Sequence, residues 1–520
     1  MTAKQVFVRE ATGLVREFSW FDAFAIGWNS TIIFSLFLVQ PAVGLFPGTN
    51  PLLALLILFP IAMFYSINYG WLAMMMPRSG GDYIFNTRIV HPAIGFLGSW
   101  LFIIASAIFG MGVILTLLVT WTLPWLLSSL GLSALASTVT QPNWVFGLGM
   151  IIIVVFGLLN IFPRKFLSRF FQATIGASIV GGALILAIIL SNIGRFPQAF
   201  EASTGVKYES ILPLAIKNGF NPGTNLPATI LTVGWMGITV LAGVGIFVAG
   251  EVKDVKKSML WATVWANVIV MVVYIGFMAV TYVATGYTWY NALSWLYVNT
   301  NAYPAGMMTP QINNIALMIA NMPALNILIA ITMFCSLLTI PPANYILASR
   351  YTFAWAFDRL LPARYADVSE RFHQPLIPTI VSGVLFTCGL ALSVWGGGFL
   401  SSWVSGSWIF IIWGSIGAVA GIIAPYKAKR FFEAAPSIVR ARVGPVPLLT
   451  ISGIIFLAFN LVIAAVAALY PSVNPLSAAQ AWFIVGSAIL GLAFFYAVKY
   501  YRLKKDGLDI GLIYKEIPPE

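Results

Sequence analysis

Long runs of apolar residues, separated by short polar segments, follow one another along almost the whole chain. Each residue of an α-helix adds 1.5 Å, so about 20 apolar residues cross a ~30 Å hydrocarbon core. The pattern therefore predicts twelve membrane-spanning helices. They cover residues 20–46, 51–76, 93–129, 143–162, 168–192, 229–250, 258–286, 321–349, 376–395, 400–426, 447–470 and 475–500.

Several of these runs, and two of the loops between them, predict more than a simple crossing. The pair Pro341-Pro342 predicts a kink in the eighth helix, because proline removes a backbone donor and clashes with the preceding turn. The third and seventh runs are longer than a membrane is thick, so we expect them to tilt or protrude. The loops 192–228 and 286–321 are rich in Asn, Gly, Pro, Tyr and Trp, and we expect short helices in them that cover an outer vestibule.

The first and sixth runs, within residues 20–45 and 229–251, carry glycine or small polar residues near their middle. A backbone opened inside lipid must be satisfied by protein, water or ligand, because each unpaired group costs several kcal/mol. Two interrupted helices at corresponding positions in two halves of a chain predict a binding site. The alternative is that Gly27, Gly237, Gly243 and Gly245 only permit close helix packing.

Composition excludes a water-soluble globular protein. Hydrophobic residues make up 60% of the chain and charged residues 8%, with a mean hydropathy of +0.91, whereas soluble domains are about 25% charged. Cys335 and Cys388 lie inside apolar runs, so we interpret them as packing residues rather than a disulfide framework or a metal site. The sequence indicates no cofactor and no metal.

The net charge of +12 reflects topology rather than nucleic-acid binding, because the basic residues are scattered among loops. With the N-terminus inside, only Arg195, Lys207 and Lys217 of the 28 Lys and Arg residues fall outside. The positive-inside rule therefore predicts a multi-pass protein with both termini in the cytoplasm. The plasma membrane is the expected location.

Three segments at predicted cytoplasmic helix ends combine turn residues with charge. They read PRSGGDY at 77–83, AGEVKD at 249–254 and SRYTFA at 349–354, the last followed by DRLLP at 358–362. They resemble, in order and membrane side, the P-x-x-G-G-x-Y, A-E-E-V-K-N-P-x-R and S-R-x-x-F-A-x-x-x-D-G-x-L-P segments of the amino acid-polyamine-organocation (APC) superfamily. Amino acid permeases are transporters of this superfamily.

The resemblance implies an all-α polytopic membrane protein with a LeuT-like 5+5 inverted repeat and twelve transmembrane helices. Residues 1–19 are then a cytoplasmic segment and 20–428 a ten-helix transport core. The repeats cover about 20–192 and 229–426, two peripheral helices cover 447–500, and 501–520 form a cytoplasmic tail. In that architecture the first and sixth helices unwind around the substrate.

Aligning the first helix from Asp22 places Gly27 on a family glycine, whereas two further family glycines fall on Ile33 and Ser35. A second register, centred on Asn29-Ser30-Thr31, stays open. In the sixth helix the expected unwound segment is 239–243, and the acidic residue of some relatives is replaced by Gly243. The residues that the resemblance assigns to substrate binding are Gly27, Asn29, Ser30, Ile32, Ile33, Phe34, Ser35, Thr239, Val240, Leu241, Ala242 and Gly243.

No acidic or basic residue lies deep in any predicted span, which favours a neutral, apolar amino acid over a cationic one. The coupling ion stays open between H⁺ and Na⁺. A lysine that some proton-coupled relatives carry in the fifth helix is replaced here by Ser178, and Ser336 and Thr339 offer the hydroxyls that sodium-coupled relatives use. Candidates for ion binding or gating are Ser178, Ser336, Thr339, Gly80, Gly81, Tyr83, Glu251 and Arg350.

Glu251 has three interpretations, namely a titrating group, an ion pair with Lys253, or a gate contact. The function we expect is secondary active transport of amino acids by alternating access, with the bilayer and a small-molecule substrate as partners and a monomer or homo-oligomer equally open. Alternatives are a transporter of organic amines, polyamines or nucleobases, and a non-transporting amino acid sensor. An enzyme is not expected, because the spans hold no nucleophile with its base and no metal-ligand set.

Overall fold

The computed structural model describes residues 13–29, 42–240, 244–305, 307–320, 322–396, 403–470 and 477–518. In this part of the chain, ten helices are long and apolar enough to cross a membrane. They are Pro51–Met75, Pro92–Ser129, Pro142–Ile161, Arg164–Ser191, Val255–Thr285, Pro323–Phe357, Leu376–Trp395, Trp403–Lys427, Leu448–Leu469 and Ala478–Asp506. The protein is therefore an all-α multi-pass membrane protein.

Helices at the first and sixth predicted spans are shorter where they are described. The first runs over Trp20–Asn29, and residues 42–45 are again helical. The sixth runs as an α-helix over Leu226–Val240 and is described again as a 3₁₀-helix over Val244–Val248.

The remaining helices are short and lie between the spans. They are Asp82–Ile89, Ser133–Val139, Phe196–Thr204, Tyr208–Lys217, Tyr287–Asn299, Ile312–Ile319 and Lys429–Ala434, with 3₁₀ turns at Ala363–Ala366 and Ile510–Lys515. The strands Arg442–Val443 and Val446–Pro447 form a small antiparallel hairpin. The loops 192–228 and 286–321 thus carry the short helices that their composition predicts.

Local sequence explains where several spans begin. Asn50 caps the second span by accepting a hydrogen bond from the Leu53 amide, and Pro51 follows at the first helical position. His91 accepts from the Ala93 amide in the same way, again before a proline. Ser477 and Gln480 form a capping box at the last span. These caps place the helix starts within a few residues of the predicted ones.

The third span is not a uniform α-helix. Residues Ser106–Val113 and Leu118–Thr122 are π-helical, and so are Leu260–Trp265 in the seventh span. A Cβ on Gly389 would lie 1.9 Å from the Ala107 carbonyl oxygen, so the third and ninth spans cross with their backbones in close contact. Close crossings at glycine are a common way for helices to associate in a membrane.

The eighth span is divided at Leu338 and Thr339, between the helices Pro323–Leu337 and Ile340–Phe357. The break directly precedes Pro341-Pro342, as the proline pair predicts. The sequence predicts that the eighth span ends at residue 349, but its second helix extends to Phe357. Arg350, expected in a loop, is therefore a buried residue of this helix.

Several of the loops between the spans come together at one end of the bundle. Contacts at this end join Ser79 to Glu251, Arg164 to Glu251 and Arg78 to the carbonyl of Pro518. The helices in 196–217 and 287–319 pack together at the opposite end, where Tyr208 donates to the Thr285 carbonyl at 2.7 Å. Large exposed apolar side chains, such as Val283 at 68%, occur along the sides, as expected for lipid-facing surfaces.

Candidate functional site

The first and sixth predicted spans meet at the seventh. A Cβ on Gly27 would lie 2.3 Å from the Ala262 carbonyl oxygen, and a Cβ on Gly245 would lie 2.6 Å from the Ala262 Cβ. Ala262 belongs to the π-helical turn of the seventh span. These two glycines thus allow close helix packing, which is the simpler of the two interpretations of their presence.

The structure places part of the predicted substrate site in helices. Gly27 and Asn29 lie in the helix Trp20–Asn29. Thr239 and Val240 close the helix Leu226–Val240, so the prediction of unwound backbone at these two residues is wrong. Helix ends shift by one or two residues because the last carbonyls lack partners. Outside the described residues lie Ser30, Ile32, Ile33, Phe34, Ser35, Leu241, Ala242 and Gly243.

Glu251, fully buried, is the centre of a polar cluster directly after the sixth span. Its Oε2 lies 2.7 Å from Nη2 of Arg164 and 3.0 Å from Nη2 of Arg350. Its Oε1 accepts from Arg350 Nε at 3.0 Å and from Ser79 Oγ at 2.9 Å. Arg350 also donates to Gln374 Oε1 at 2.8 Å. We call these five residues the Glu251 cluster.

The Glu251 cluster also holds the N-terminal segment. The Phe18 amide donates to the Glu251 carbonyl at 3.1 Å, and the Lys253 amide donates to the Phe18 carbonyl at 3.0 Å. The Arg164 guanidinium lies over the Phe18 ring, 5.3 Å from its centroid, and donates to the Val15 carbonyl. The cluster therefore connects the N-terminal segment, the loop after the second span, and the fifth, sixth and eighth spans.

Opposite charges keep the Glu251 carboxylate ionised. Burial by itself would raise the pKa of Glu251, but the adjacent Arg164 and Arg350 guanidinium groups outweigh burial and lower the pKa to about 2. The structure therefore disagrees with two of the three interpretations of Glu251. Glu251 does not titrate near neutral pH, and its ion-pair partners are Arg164 and Arg350 rather than Lys253. The interpretation as a contact between helix ends fits the geometry.

The double-glycine turn, Gly80-Gly81, brings backbone segments together beside this cluster. Gly80 has φ +123° and Gly81 has φ +56°, conformations that favour glycine. A Cβ on Gly81 would lie 2.6 Å from the Phe247 ring, and one on Gly80 would lie 2.7 Å from the Ala354 Cβ. The turn therefore packs against the end of the sixth span and against the eighth span.

Tyr83 belongs to a neighbouring contact. Its hydroxyl donates to Asp358 Oδ2 at 2.7 Å, and Arg88 forms a bidentate pair with the same carboxylate at 2.7 Å for both bonds. The Tyr514 ring lies under the Arg88 guanidinium at 5.1 Å, with its hydroxyl 3.3 Å from that of Tyr83. The C-terminal tail thus packs against the helix that follows the double-glycine turn.

The predicted ion-site hydroxyls come together at the interface of the fifth and eighth spans. Ser178 Oγ and Ser336 Oγ are 2.9 Å apart. Ser336 Oγ also donates to the Thr332 carbonyl, and Thr339 Oγ1 donates to the Ser336 carbonyl. Hydroxyls inside helices commonly bond to their own backbone in this way. A sodium ion at this place stays a prediction.

Sequence reasoning missed several members of these contacts. Arg164 and Arg88 count in the sequence only as cytoplasmic positive charges, yet both are buried in ion pairs. Tyr514 lies in a tail for which the sequence suggests no role. The sequence could have indicated Arg164 as a partner of Glu251, because Arg164 follows Pro163 at the start of a helix and lies on the same predicted membrane side as Glu251. Arg88 and Tyr514 carry no such signal.

A cavity of about 500 Å³ lies at the opposite end of the bundle, next to where the first and sixth spans reach that surface. Gly and Asn residues form much of its wall, together with two aromatic rings. Its lining residues are Pro47, Gly48, Gly219, Phe220, Asn221, Gly223, Thr224, Asn225, Leu226 and Trp295.

Comparison with known proteins agrees with this architecture. The sequence model of the amino acid permease family matches residues 26–509. Among curated proteins, the amino-acid permease inda1 of Hypocrea atroviridis is 27% identical over 216 residues, an alignment that covers 36% of each chain. The chain therefore spans about a third of the length of that relative. The extent of the family match, which includes nearly all the helices described above, shows that this chain belongs to the amino acid permease family, whose members are transporters and not enzymes.

Proposed function

We propose that this chain is a secondary active transporter that moves amino acids across the plasma membrane by alternating access. The core comprises residues 20–428 as two inverted repeats of five helices, within a total of twelve spans. The peripheral helices lie in 447–500. Membership of the amino acid permease family supports the substrate class, and the ten described spans support the membrane location.

The observation that carries the proposal is the Glu251 cluster. It joins residues of the first proposed repeat, Ser79 and Arg164, to residues of the second, Glu251 and Arg350. A transporter that closes one side must hold its two repeats together at that side and release them to open. We therefore assign the cluster to the closed gate of one conformational state, with Gly80 and Gly81 supporting the contact and Tyr83 fixing the adjacent helix.

The gate lies on the cytoplasmic side in this proposal. The positive-inside rule supports the assignment, because the loops at the Glu251 end hold most of the Lys and Arg residues. The cavity beside Gly48 and Trp295 then faces outside, close to the first and sixth spans.

The substrate in this proposal is a neutral, apolar amino acid. Its ammonium and carboxylate groups bind main-chain groups near residues 27–35 and 241–243, where no acidic or basic side chain stands in the sequence. Tighter binding to an occluded state than to the open ones lets the substrate shift the population.

Ligand-induced thermal stabilisation of the purified protein tests the substrate class. The twenty amino acids, several polyamines and nucleobases are compared, with and without sodium. A ligand at 100-fold excess over its Kd adds about 2.7 kcal/mol of stability. We expect apolar amino acids to raise Tm and to exchange in proteoliposomes. A shift with amines or nucleobases alone would replace the proposed substrate, and binding without exchange would indicate a sensor.

Two glycine variants test whether the ligand-induced rise in Tm depends on the predicted substrate site. Gly243→Leu fills the expected substrate position and should abolish the ligand-induced shift. Gly276→Leu is the matched control, because a Cβ at Gly276 meets nothing within 4 Å among the described residues. An equal loss of response in both variants would contradict the predicted site.

A further inference from the structure

Asp82 is another fully buried carboxyl at the Glu251 end, outside the Glu251 cluster. It opens the short helix Asp82–Ile89, immediately after the double-glycine turn. Its Oδ2 accepts from Trp413 Nε1 at 2.7 Å and from Asn86 Nδ2 at 3.1 Å, and its Oδ1 accepts from the Tyr351 hydroxyl. Three neutral donors from three helices therefore converge on this group.

Uncharged groups surround Asp82 on the second, third, eighth and tenth spans, and the third span places the Phe102 ring 4.3 Å from the ring of Trp413. The second span contributes Tyr65 and Tyr69, the eighth contributes Tyr351 and the tenth contributes Trp413. From the sixth span, the ring of Phe247 packs against Tyr351 at 4.9 Å. Of the charged residues close to Asp82 along the chain, Arg78 donates to the Pro77 and Pro518 carbonyls, and Arg88 pairs with Asp358.

Among the residues that the structure describes, Asp82 has no ion-pair partner. This distinguishes it from Glu251, which has two. Burial raises the pKa of Asp82 to about 7, although the hydrogen bonds from Tyr351 and Trp413 act in the opposite direction. The carboxyl therefore changes charge within the physiological range.

The surroundings can also accept a proton on Asp82. Asn86 Oδ1 is buried and has no hydrogen-bond partner in the described part of the chain. The oxygen and nitrogen of an amide exchange places by a simple rotation. After that rotation a protonated Asp82 carboxyl donates a hydrogen bond to the Asn86 oxygen. The proton on Asp82 thus has an acceptor within the protein.

We propose that Asp82 is a proton-binding site of this protein. As the bundle closes at the Glu251 end, the Asp82 carboxylate takes a proton from the aqueous phase there and forms an O–H bond. The proton returns to that phase when the bundle opens and water reaches the site. Asp82 and Tyr351 stand beside Ser79 and Arg350 of the Glu251 cluster, so the protonation state and the gate contact share the same two segments. Only the part that concerns gate opening rests on the proposed function.

Infrared spectroscopy of the full-length protein in lipid nanodiscs tests the proposal directly. A protonated buried carboxyl gives a C=O stretching band that an ionised one lacks. Titration from about pH 5 to about pH 9 spans a midpoint near 7. We expect the wild type to lose one such band over this range, and Asp82→Asn to lack it throughout. The exposed Asp254→Asn is the matched control and should keep the band.

A second variant keeps the test valid where Asp82→Asn does not fold. Trp413→Phe removes one donor to the ionised form, so the midpoint should rise by about one to two pH units. An unchanged midpoint, a band that persists in Asp82→Asn, or no titrating band in the wild type would each overturn the proposal. The readout is independent of transport, so a titrating Asp82 without amino acid flux would reject only the proposed function.

Discussion

Two carboxyl groups at the same end of the bundle differ in their charged neighbours. Glu251 and Asp82 are both fully buried, and both accept hydrogen bonds from the eighth span, Glu251 from Arg350 and Asp82 from Tyr351. Glu251 faces two guanidinium groups, and its pKa falls to about 2. Asp82 faces only neutral donors, and its pKa rises to about 7. Burial penalises both charges, so the counter-charges decide the outcome.

The difference separates a permanent contact from a variable one. Adjacent residues of the eighth span, Arg350 and Tyr351, bind the two carboxyls. A carboxylate held between arginines keeps its charge at any physiological pH, so the contact depends on conformation alone. A carboxyl among tyrosine, tryptophan and asparagine changes its charge with pH. Four substitutions break or sharpen this comparison.

Glu251→Gln should have the largest effect. It leaves Arg164 and Arg350 buried without a counter-charge, and breaking a buried pair in this way costs about 3–5 kcal/mol. The apparent Tm at one fixed scan rate, in one detergent, measures the loss. Glu433→Gln removes the exposed partner of Lys429 and should change stability by less than about 0.5 kcal/mol. Similar losses in both variants would mean that burial does not distinguish the two pairs.

Asp82→Asn should make the free energy of unfolding less dependent on pH. The folded protein holds the Asp82 proton more tightly than the unfolded chain does. The contribution of this proton to the free energy of unfolding is therefore full below about pH 4 and is lost as the pH rises to about 7. The wild type should therefore lose on the order of 3 kcal/mol over this interval, and Asp82→Asn should not.

Glu251 has the opposite sign and a different interval. Its lowered pKa gives stability that is present above about pH 4.5 and lost as the pH falls towards 2. Between about pH 4.5 and 7 the slope thus comes from Asp82 and not from Glu251. Thermal unfolding at a series of pH values checks this, and an equal slope in the wild type and Asp82→Asn would refute it.

Gly81→Ala should affect both carboxyl sites, because the turn joins Ser79 to Asp82. The methyl group meets the Phe247 ring and forces a positive φ on a residue with a side chain, at a total cost of about 2 kcal/mol. Gly131→Ala is the matched control, with φ +79° and nothing within 4 Å in the described structure. The difference in apparent Tm between the two variants isolates the contact from the backbone strain, and no difference would rule out the contact.

Tyr514→Phe extends the comparison to a third carboxyl, Asp358, and should have the smallest effect. Asp358 has one guanidinium partner, Arg88, and the Tyr514 hydroxyl reaches Tyr83 only at 3.3 Å. Loss of this bond should cost about 0.5–1 kcal/mol, because the Arg88–Asp358 pair and the ring contact stay. Limited proteolysis of the tail gives a sensitive readout, and a loss as large as that of Glu251→Gln would show that the tail hydroxyl supports the whole end.

Sequence reasoning predicted most of the fold because hydropathy, proline positions and loop charge act locally. The spans, the division of the eighth helix before Pro341-Pro342 and the short helices in the long loops agree with the structure. Membership of the permease family, inferred from the PRSGGDY, AGEVKD and SRYTFA segments, is confirmed. The twelve-span count, the inverted repeats and the substrate residues remain predictions.

What the sequence determined by itself is a polytopic helical protein of this family, since lipid forces apolar runs into helices whatever their neighbours. The tertiary structure alone decided which buried charges are paired. Glu251 and Asp82 are both acidic residues beside glycine at helix ends, and no local pattern separates them. Their partners come from spans far away in the chain, and the electrostatic energy of a buried group depends on the few ångströms to those partners.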